Sequence, residues 1–478
     1  MKTMASCDNS KNLILVLLGA SGFVGTGILK HLLENREDVV NKLFQFVEKN
    51  TINTTTYDKL IIRCCIRNPE VLKNKTKKNA ELNEIVDSGF SKYGIVLEFI
   101  QCDVRKKDSI RNVVENAQFI INAVGLYKWY HEIEEDYFAI NERGAVNVLD
   151  VCYELAEGLK EDIKSGKVFA PVLAHISTVL AYGSEVAKLG KDFTEQDAEN
   201  ILHEPNNFCS KYAYTKSLGD QKIRERYKQI LCSGEENIAD EYFCLKTRLL
   251  PLACVLGEGD VDNLAQGRPG CVQRDFILGK IPCLVEPETE FIYVDIEDVA
   301  KSVTRALYWS LKENQRNNKN INSDAFSEFL IGNWEDRMTT RVYFQRMESW
   351  NKICAEEDQN SLNGEDNNIN STQLFKNGSN HGRGKMLLPE NAAKCPSRTI
   401  PISLLSGMSF IGASLGFSYL LPPAIVEQAK RGPVLFSCQK ADDELDMRDQ
   451  YTPINESVRK GIISARRLIV DEFNNSPM

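Results

Sequence analysis

A glycine motif between an apolar run and a helical pattern is the feature that most constrains this chain. Residues 13–18 are all apolar, and the run stops at Gly19, where the sequence continues as GASGFVG to Gly25. Uninterrupted apolar runs are typical of strands that are buried on both faces of a parallel sheet. From Phe23 onward, apolar residues recur at helical spacing. The sequence therefore predicts a strand, a tight glycine turn and a helix, in that order.

The same motif predicts a binding site for a pyrophosphate. Gly19 permits the tight turn, Gly22 lets the backbone approach a phosphate, and Gly25 lets the helix pack on the strand. The N-terminus of the helix adds free N–H groups and the positive end of the helix dipole. A glycine turn with a purely structural role is the alternative. We expect a dinucleotide to contact Gly19, Ser21, Gly22, Phe23, Val24 and Gly25.

Apolar runs alternate with helical patterns along the first 250 residues. Strands are predicted at 60–66, 95–100, 119–124 and 172–177, with helices at 109–117 and 142–159. This alternation predicts an α/β fold, a Rossmann-like doubly wound parallel sheet. Further strands are predicted at 243–255, 291–294 and 328–331. We therefore expect a cofactor domain at 12–250 and a smaller C-terminal α/β substrate domain made of 251–350 and 397–470.

Two segments interrupt this pattern in the C-terminal half. Residues 351–396 are rich in Asn and poor in large apolar groups, which predicts a disordered insertion. Residues 399–426 carry no charge, and 402–421 have the length of a bilayer span. A helix lying in the membrane interface and a buried helix of the second domain are the alternatives. The segment predicts membrane association or, equally, a buried helix.

Residues that follow the next strands predict the rest of the cofactor site. The second strand ends at Arg67, where an acid would select NAD and a base would accept the 2′-phosphate of NADP. The sequence thus predicts NAD or NADP, with Arg67 favouring NADP. Asp103 and Val104 follow the third strand, where a carboxylate can accept a hydrogen bond from the adenine amino group. Ala123 follows the fourth strand, where a small residue leaves room for the cofactor.

A tyrosine and a lysine at helical spacing are the candidate catalytic pair. Tyr212 and Lys216 are four residues apart, so they lie on one face of a helix. A free tyrosine has a pKa of about 10, and a nearby ammonium favours its phenolate. Lys216 can also hold the ribose of the nicotinamide. Thr178, with Ser177 as the second choice, ends the fifth strand and offers a hydroxyl for the substrate oxygen. A surface helix and a strand-end hydroxyl without function are the alternatives.

Composition excludes several classes of protein. The formal net charge is −9, which makes a nucleic-acid binder a poor interpretation. The 14 cysteines are scattered and lack the spacing of zinc ligands, so no metal site is predicted and reduced thiols are expected. A hydrophobic content of 42% is that of an ordinary globular protein.

Together these motifs resemble the extended short-chain dehydrogenases/reductases. The resemblance rests on the glycine motif, on Asn141, Gly144 and Asn147 in an N-xx-G-xx-N pattern, on Ser177-Thr178, and on the YAYTK sequence at 212–216. Within that superfamily the chain is most similar to the 3β-hydroxysteroid dehydrogenase/isomerase family. The uncharged segment at 399–426 and the sequence KADDEL at 440–445 support that subgroup. The resemblance covers about residues 12–345 and 398–470.

The resemblance implies hydride transfer between a nicotinamide and a secondary alcohol or ketone. It assigns Tyr212 as general acid/base, Lys216 as its electrostatic partner, and Thr178 with Ser177 as the groups that orient the substrate oxygen. It implies a hydrophobic substrate such as a 3β-hydroxysteroid or sterol, location on the cytoplasmic side of an intracellular membrane such as the endoplasmic reticulum, and compatibility with a homodimer. A nucleotide-sugar epimerase, a carbonyl or flavanonol-type reductase and a non-catalytic NADP-sensing protein are the alternatives.

Overall fold

A seven-stranded parallel sheet forms the centre of the protein. The computed structural model describes residues 11–52, 57–67, 95–128, 131–189, 191–232, 244–259, 269–310, 325–363, 393–414, 423–432 and 434–475. The sheet consists of β1 Lys11–Leu18, β2 Tyr57–Ile66, β3 Ile95–Gln101, β4 Phe119–Asn122, β5 Val172–Thr178, β6 Lys246–Leu252 and β11 Phe326–Glu328. The first five strands lie where the apolar runs predict them and differ only at their ends.

The strand order places the glycine motif at the centre of the sheet. Neighbouring strands run in the order β11-β6-β5-β4-β1-β2-β3, and every pairing is parallel. The order reverses direction between β1 and β4, and ligands of such sheets bind outside the carboxyl ends of the strands at this point. Leu18 of β1 pairs with Asn122 of β4 and with Cys65 of β2, so these strands end at one level. The carboxyl edge is therefore where the predicted site residues meet.

Helices cover both faces of the sheet, which confirms the doubly wound architecture. One apolar core joins the helices at 23–34, 36–49 and 296–307 to the sheet, and a second core joins the helices at 107–114, 143–157 and 211–232 to its other face. The helices of eight or more residues are α1 Phe23–Glu34, α2 Arg36–Lys49, α3 Lys107–Val114, α4 Arg143–Glu157, α5 Lys211–Cys232, α6 Pro269–Ile277, α7 Ile296–Leu307, α8 Thr340–Asn363, α9 Ile402–Ser414, α10 Pro423–Arg431 and α11 Ile454–Asn475.

The single strand predicted at 243–255 is instead two strands that belong to two sheets. β6 ends at Leu252, and β7 Cys254–Leu256 pairs in parallel with β10 Tyr293–Asp295. The chain changes partner at Ala253, whose N–H donates to the Ile331 carbonyl at 2.8 Å. The predicted domain boundary at residue 250 falls within β6. The division into two domains stays a prediction.

The C-terminal half adds a third apolar core. Residues of α6, α8 and α11 pack together with β10. Two further pairs of short strands flank this core, β9 Glu290–Phe291 with β12 Met338–Thr339 and β8 Leu284–Val285 with β13 Thr399–Ile400. The C-terminal half thus contains both helices and short strands, and its assignment to substrate binding stays a prediction.

The disorder predicted for 351–396 is wrong over its first part. Helix α8 continues to Asn363, and residues 364–392 lie outside the described part of the chain. Asn351 is buried and accepts a hydrogen bond from Arg466 of α11 at 2.7 Å. Arg466 also pairs with Asp358. These contacts with a distant helix stabilise a segment that is poor in large apolar residues.

The uncharged segment at 399–426 contains two helices within the described residues. Helix α9 covers Ile402–Ser414, α10 begins at Pro423, and 415–422 lie outside the described part. In the regions that the structure describes, no helix has both the length and the apolar character needed to cross a membrane.

Candidate active site

The glycine turn between β1 and α1 has the geometry of a phosphate cradle. Gly19 has a φ of +82°, and its N–H donates to the Cys65 carbonyl at 2.9 Å. A Cβ on Gly19 would lie 3.0 Å from the backbone of Ala123, and a Cβ on Gly25 would lie 2.2 Å from the Gly19 carbonyl oxygen. Gly22 is the N-cap of α1 and provides no side-chain cap. The first turn of α1 therefore presents backbone N–H groups at the carboxyl edge of β1, which fits a pyrophosphate.

The N-xx-G-xx-N pattern fixes the loop that follows β3. Gly144 approaches Val104 so closely that a Cβ would lie 2.9 Å from its side chain. Asn147 donates to the Val104 carbonyl at 3.0 Å. Val104 and Asp103 are thereby held at the same edge as the glycine turn.

Asp103 has a partner that sequence reasoning missed. Arg105 donates from Nε to Oδ1 at 3.0 Å and from Nη2 to Oδ2 at 2.6 Å. This hydrogen-bonded pair lowers the pKa of Asp103, and the charge of Arg67 adds to the effect. The side chain of Arg67 is exposed. Two guanidinium groups thus lie near Asp103, at the end of β3 where the adenosine half of the cofactor is expected.

The candidate catalytic pair lies on α5 as the spacing predicts. Lys216 is buried, and its Nζ donates to the Ile176 carbonyl of β5 at 2.7 Å. Burial lowers the pKa of Lys216, and the Asp220 carboxylate opposes this shift. Tyr212 is half-buried, one turn before Lys216, and its ring packs edge-on against Tyr127 at 4.7 Å between centroids. The ammonium is therefore anchored on β5, while the phenol lies at the surface of the site.

The two candidate hydroxyls of β5 have different partners. The Ser177 hydroxyl donates to the Asp220 carboxylate, so its hydrogen points into the protein. Thr178 Oγ1 accepts from the Leu180 N–H at 3.3 Å, which leaves its own hydrogen for a substrate oxygen. The Thr178 hydroxyl can therefore donate to a substrate, whereas the Ser177 hydroxyl already has an acceptor; which of them contacts substrate stays a prediction.

Two further residues connect the site and were missed by sequence reasoning. Tyr127 lies in the loop after β4 and contacts the Tyr212 ring. Asn141 accepts from the Leu126 N–H at 2.8 Å and donates to Thr215 Oγ1 at 3.2 Å. Asn141 therefore ties that loop to α5 beside the catalytic pair. Its place in the N-xx-G-xx-N pattern was a signal, but the pattern does not reveal its partners.

A buried polar network lies beneath Lys216. Asp220 is fully buried one turn after Lys216, and the His175 Nε2 lies 3.7 Å from its carboxylate. Burial lowers the pKa of His175 well below its usual value, so this imidazole is neutral and belongs to the core. Burial also raises the pKa of Asp220 to about 6, although Arg224 and Lys216 oppose the shift.

Replacing Asp220 by asparagine should remove a pH dependence of stability. A carboxyl whose pKa is about 6 in the folded state and 3.8 in the unfolded state binds protons more tightly when folded. The carboxyl therefore contributes to the free energy of unfolding below pH 4. About 3 kcal/mol of this contribution is lost as the pH rises through 6. Asparagine keeps an acceptor for Ser177 but does not titrate. Urea unfolding at pH 4, 5, 6 and 7 should show wild type losing stability relative to Asp220→Asn; parallel curves would contradict the shifted pKa.

Comparisons with known proteins identify the family. The model of the NAD dependent epimerase/dehydratase family matches residues 15–321, which is more than half of the chain. The chain belongs to this family. No curated protein sequence matches the chain closely enough to count as a relative. Membership confirms the extended short-chain dehydrogenase/reductase superfamily, whereas the 3β-hydroxysteroid dehydrogenase subgroup is not confirmed.

Solved structures share the fold of this epimerase/dehydratase family member over nearly its whole length. The terminal R domain from the myxalamid PKS-NRPS biosynthetic pathway has a TM-score of 0.56 at 12% identity, covering 98% of this chain and 95% of that one. The protein gox2253 has a TM-score of 0.53 at 15% identity, covering 96% and 99%. The UDP-glucose 4-epimerase of Thermus thermophilus, solved with NAD, has a TM-score of 0.50 at 15% identity, covering 95% and 99%. Identities this low show the fold alone.

The cofactor class follows from the family. The family is NAD-dependent, and the cradle at Gly19 and Gly25 fits a dinucleotide, so the expected nicotinamide cofactor is confirmed as NAD. Nothing in the comparisons supports the NADP preference inferred from Arg67. The roles of Tyr212, Lys216, Thr178 and Ser177 stay predictions, although the structure brings α5 against the carboxyl end of β5.

Proposed function

We propose that this family member is a dehydrogenase/reductase that transfers a hydride between NAD(P) and a secondary alcohol or ketone of a hydrophobic substrate, a 3β-hydroxysteroid or sterol. The observation that carries the chemistry is the 2.7 Å hydrogen bond from Lys216 Nζ to the Ile176 carbonyl. Lys216 lies one helical turn after Tyr212, and Ile176 lies two residues before Thr178. The bond therefore joins the helix that carries Tyr212 to the strand that ends at Thr178. A phenol, an ammonium and a hydroxyl thus share one end of the sheet.

Each residue has a separate task in this proposal. For oxidation, Tyr212 accepts the proton of the substrate hydroxyl; for reduction, it returns a proton to the carbonyl oxygen. Lys216 favours the phenolate through its charge. One of its three hydrogens is bound to Ile176, and the others can hold ribose hydroxyls. Thr178 donates to the substrate oxygen. The bound nicotinamide supplies or accepts the hydride.

The apolar nature of the substrate rests on the resemblance to the 3β-hydroxysteroid dehydrogenase/isomerase family, which the uncharged segment at 399–426 and the sequence KADDEL at 440–445 support. Arg431 of α10 donates to the Asn206 carbonyl at 2.9 Å and to Ser184 Oγ at 3.3 Å. Ser184 lies six residues after Thr178, so the end of α10 contacts the segment that follows the catalytic strand.

A panel of substrates tests the proposal. We expect a 3β-hydroxy-5-ene steroid or a 4-methyl sterol to produce reduced nicotinamide, followed by absorbance with NAD and NADP in separate reactions. A UDP-hexose and a flavanonol serve as the competing substrates. Epimerisation produces no net reduced cofactor, so the 4-epimer itself must be assayed. Turnover of the UDP-hexose alone would replace our proposal by the epimerase alternative, and cofactor binding without any turnover would favour the sensing alternative.

A further inference from the structure

Helix α9 exposes large apolar side chains where a helix on a protein surface usually carries polar ones. Its inward face includes Leu405 and Ser409, which are buried. Its outward face carries large apolar side chains, with exposed fractions of 56% for Leu404, 51% for Met408, 74% for Phe410 and 60% for Ile411. An outward polar face is the usual arrangement, and contiguous exposed apolar groups mark interaction surfaces.

The charges around α9 indicate what covers this face. Residues 394–431 carry four basic side chains and one acidic one, although the whole chain has a net charge of −9. Lys394 and Arg398 are exposed just before α9, whereas Lys430 at the end of α10 pairs with Glu427 at 2.8 Å. The apolar surface is thus preceded by positive charge within an acidic protein. Basic residues beside an apolar helical face complement anionic lipid headgroups.

We propose that α9 and α10 form a lipid-binding surface that holds the protein against an anionic membrane without crossing it. The outward side chains of α9 enter the boundary between headgroups and acyl chains, while the flanking basic residues contact the headgroups. The length of α9, 13 residues, suits a helix lying in the interface rather than a bilayer span. This inference does not depend on the proposed substrate.

Both ends of this surface are attached to the rest of the protein. β13 joins the chain before α9 to β8, and Arg431 at the end of α10 is bonded to the segment after β5.

Vesicle binding of the full chain tests this surface. We expect the protein to float with vesicles of phosphatidylcholine containing about one third phosphatidylserine, and to bind pure phosphatidylcholine at least tenfold more weakly because Lys394 and Arg398 lose the anionic headgroups. Replacing both Lys394 and Arg398 by glutamine should lower binding to the anionic vesicles only.

The apolar contribution has a matched control. The double variant Phe410→Asp/Ile411→Asp should reduce binding to anionic vesicles at least tenfold. Ile52→Asp changes a similarly exposed apolar side chain, 71% exposed in the segment that follows α2, and should bind as wild type does. NAD binding, measured in parallel, shows that each variant is folded.

Three outcomes would overturn the proposal. Wild type could fail to bind either vesicle, or the Phe410/Ile411 variant could bind as wild type does. Alternatively, sedimentation could show a wild-type dimer that this variant converts to a monomer without any vesicle binding, which would make the surface a contact between two copies. Failure of the steroid assay leaves all these readouts unaffected, so the two proposals are tested separately.

Discussion

Replacing Tyr212 by phenylalanine should lower kcat by about 10²–10⁴-fold while leaving the Kd for NAD within about threefold of wild type. A positioned general acid/base contributes about 10²–10⁴-fold to a rate, and phenylalanine removes only the hydroxyl. The ring contact with Tyr127 is preserved, so the fold of the site should not change. The comparison needs steady-state kinetics with the active substrate of the panel and a separate titration of NAD.

Tyr214 provides the matched control for this experiment. Tyr214 lies two residues further along α5, and its ring packs against Phe138 and Phe208. The residue one turn later is Leu218 rather than a lysine. Tyr214→Phe should therefore change kcat by less than about twofold. If Tyr214→Phe abolished turnover and Tyr212→Phe did not, Tyr214 would be the acid/base and the assignment from the sequence spacing would be wrong.

Replacing Arg224 by methionine should lower the free energy of unfolding by about 3–5 kcal/mol. Arg224 of α5 and Glu328 of β11 form a buried pair, with hydrogen bonds of 2.9 Å and 2.5 Å between the guanidinium and the carboxylate. Tyr182 donates to the same carboxylate at 2.8 Å. Without Arg224, the Glu328 carboxylate is buried with an uncompensated charge, and that desolvation cost dominates.

A double variant separates this cost from lost packing. Arg224→Met/Glu328→Leu removes both charges and should lower the free energy of unfolding by less than Arg224→Met alone, because no unpaired charge remains in the core. Urea unfolding of wild type, both single variants and the double variant completes the cycle. Additive losses from the two single variants would show that the pair is not coupled.

The elements of the fold that could be predicted are those that depend on local sequence. β1 and β5 are apolar runs, and their burial in the parallel sheet follows from that pattern. The glycine turn could be predicted because Gly22 and Gly25 approach Gly19, which is close in sequence. Gly19 in turn approaches Ala123, at the end of a strand that the apolar pattern also predicts. Tyr212 and Lys216 share a helix, so their spacing alone brings them together.

The parts that could not be predicted depend on residues far apart in the chain. Asp220 is bonded to Ser177 across 43 positions, and Arg224 is bonded to Glu328 across 104. The Asn-rich region was expected to be disordered, yet its first part is helical because Arg466 binds Asn351 from 115 positions away. Composition describes a segment by itself and contains no information about such partners.

The transition from β6 to β7 limits how the two halves of the molecule can move. One residue, Ala253, separates a strand of the central sheet from a strand of the second sheet, and its N–H is bonded to Ile331. A hinge requires residues whose φ and ψ can change without breaking packing. Ala253 is buried and hydrogen-bonded, so it offers no hinge at this crossing. We therefore expect an opening for substrate at the carboxyl edge to come from loops rather than from rotation about Ala253.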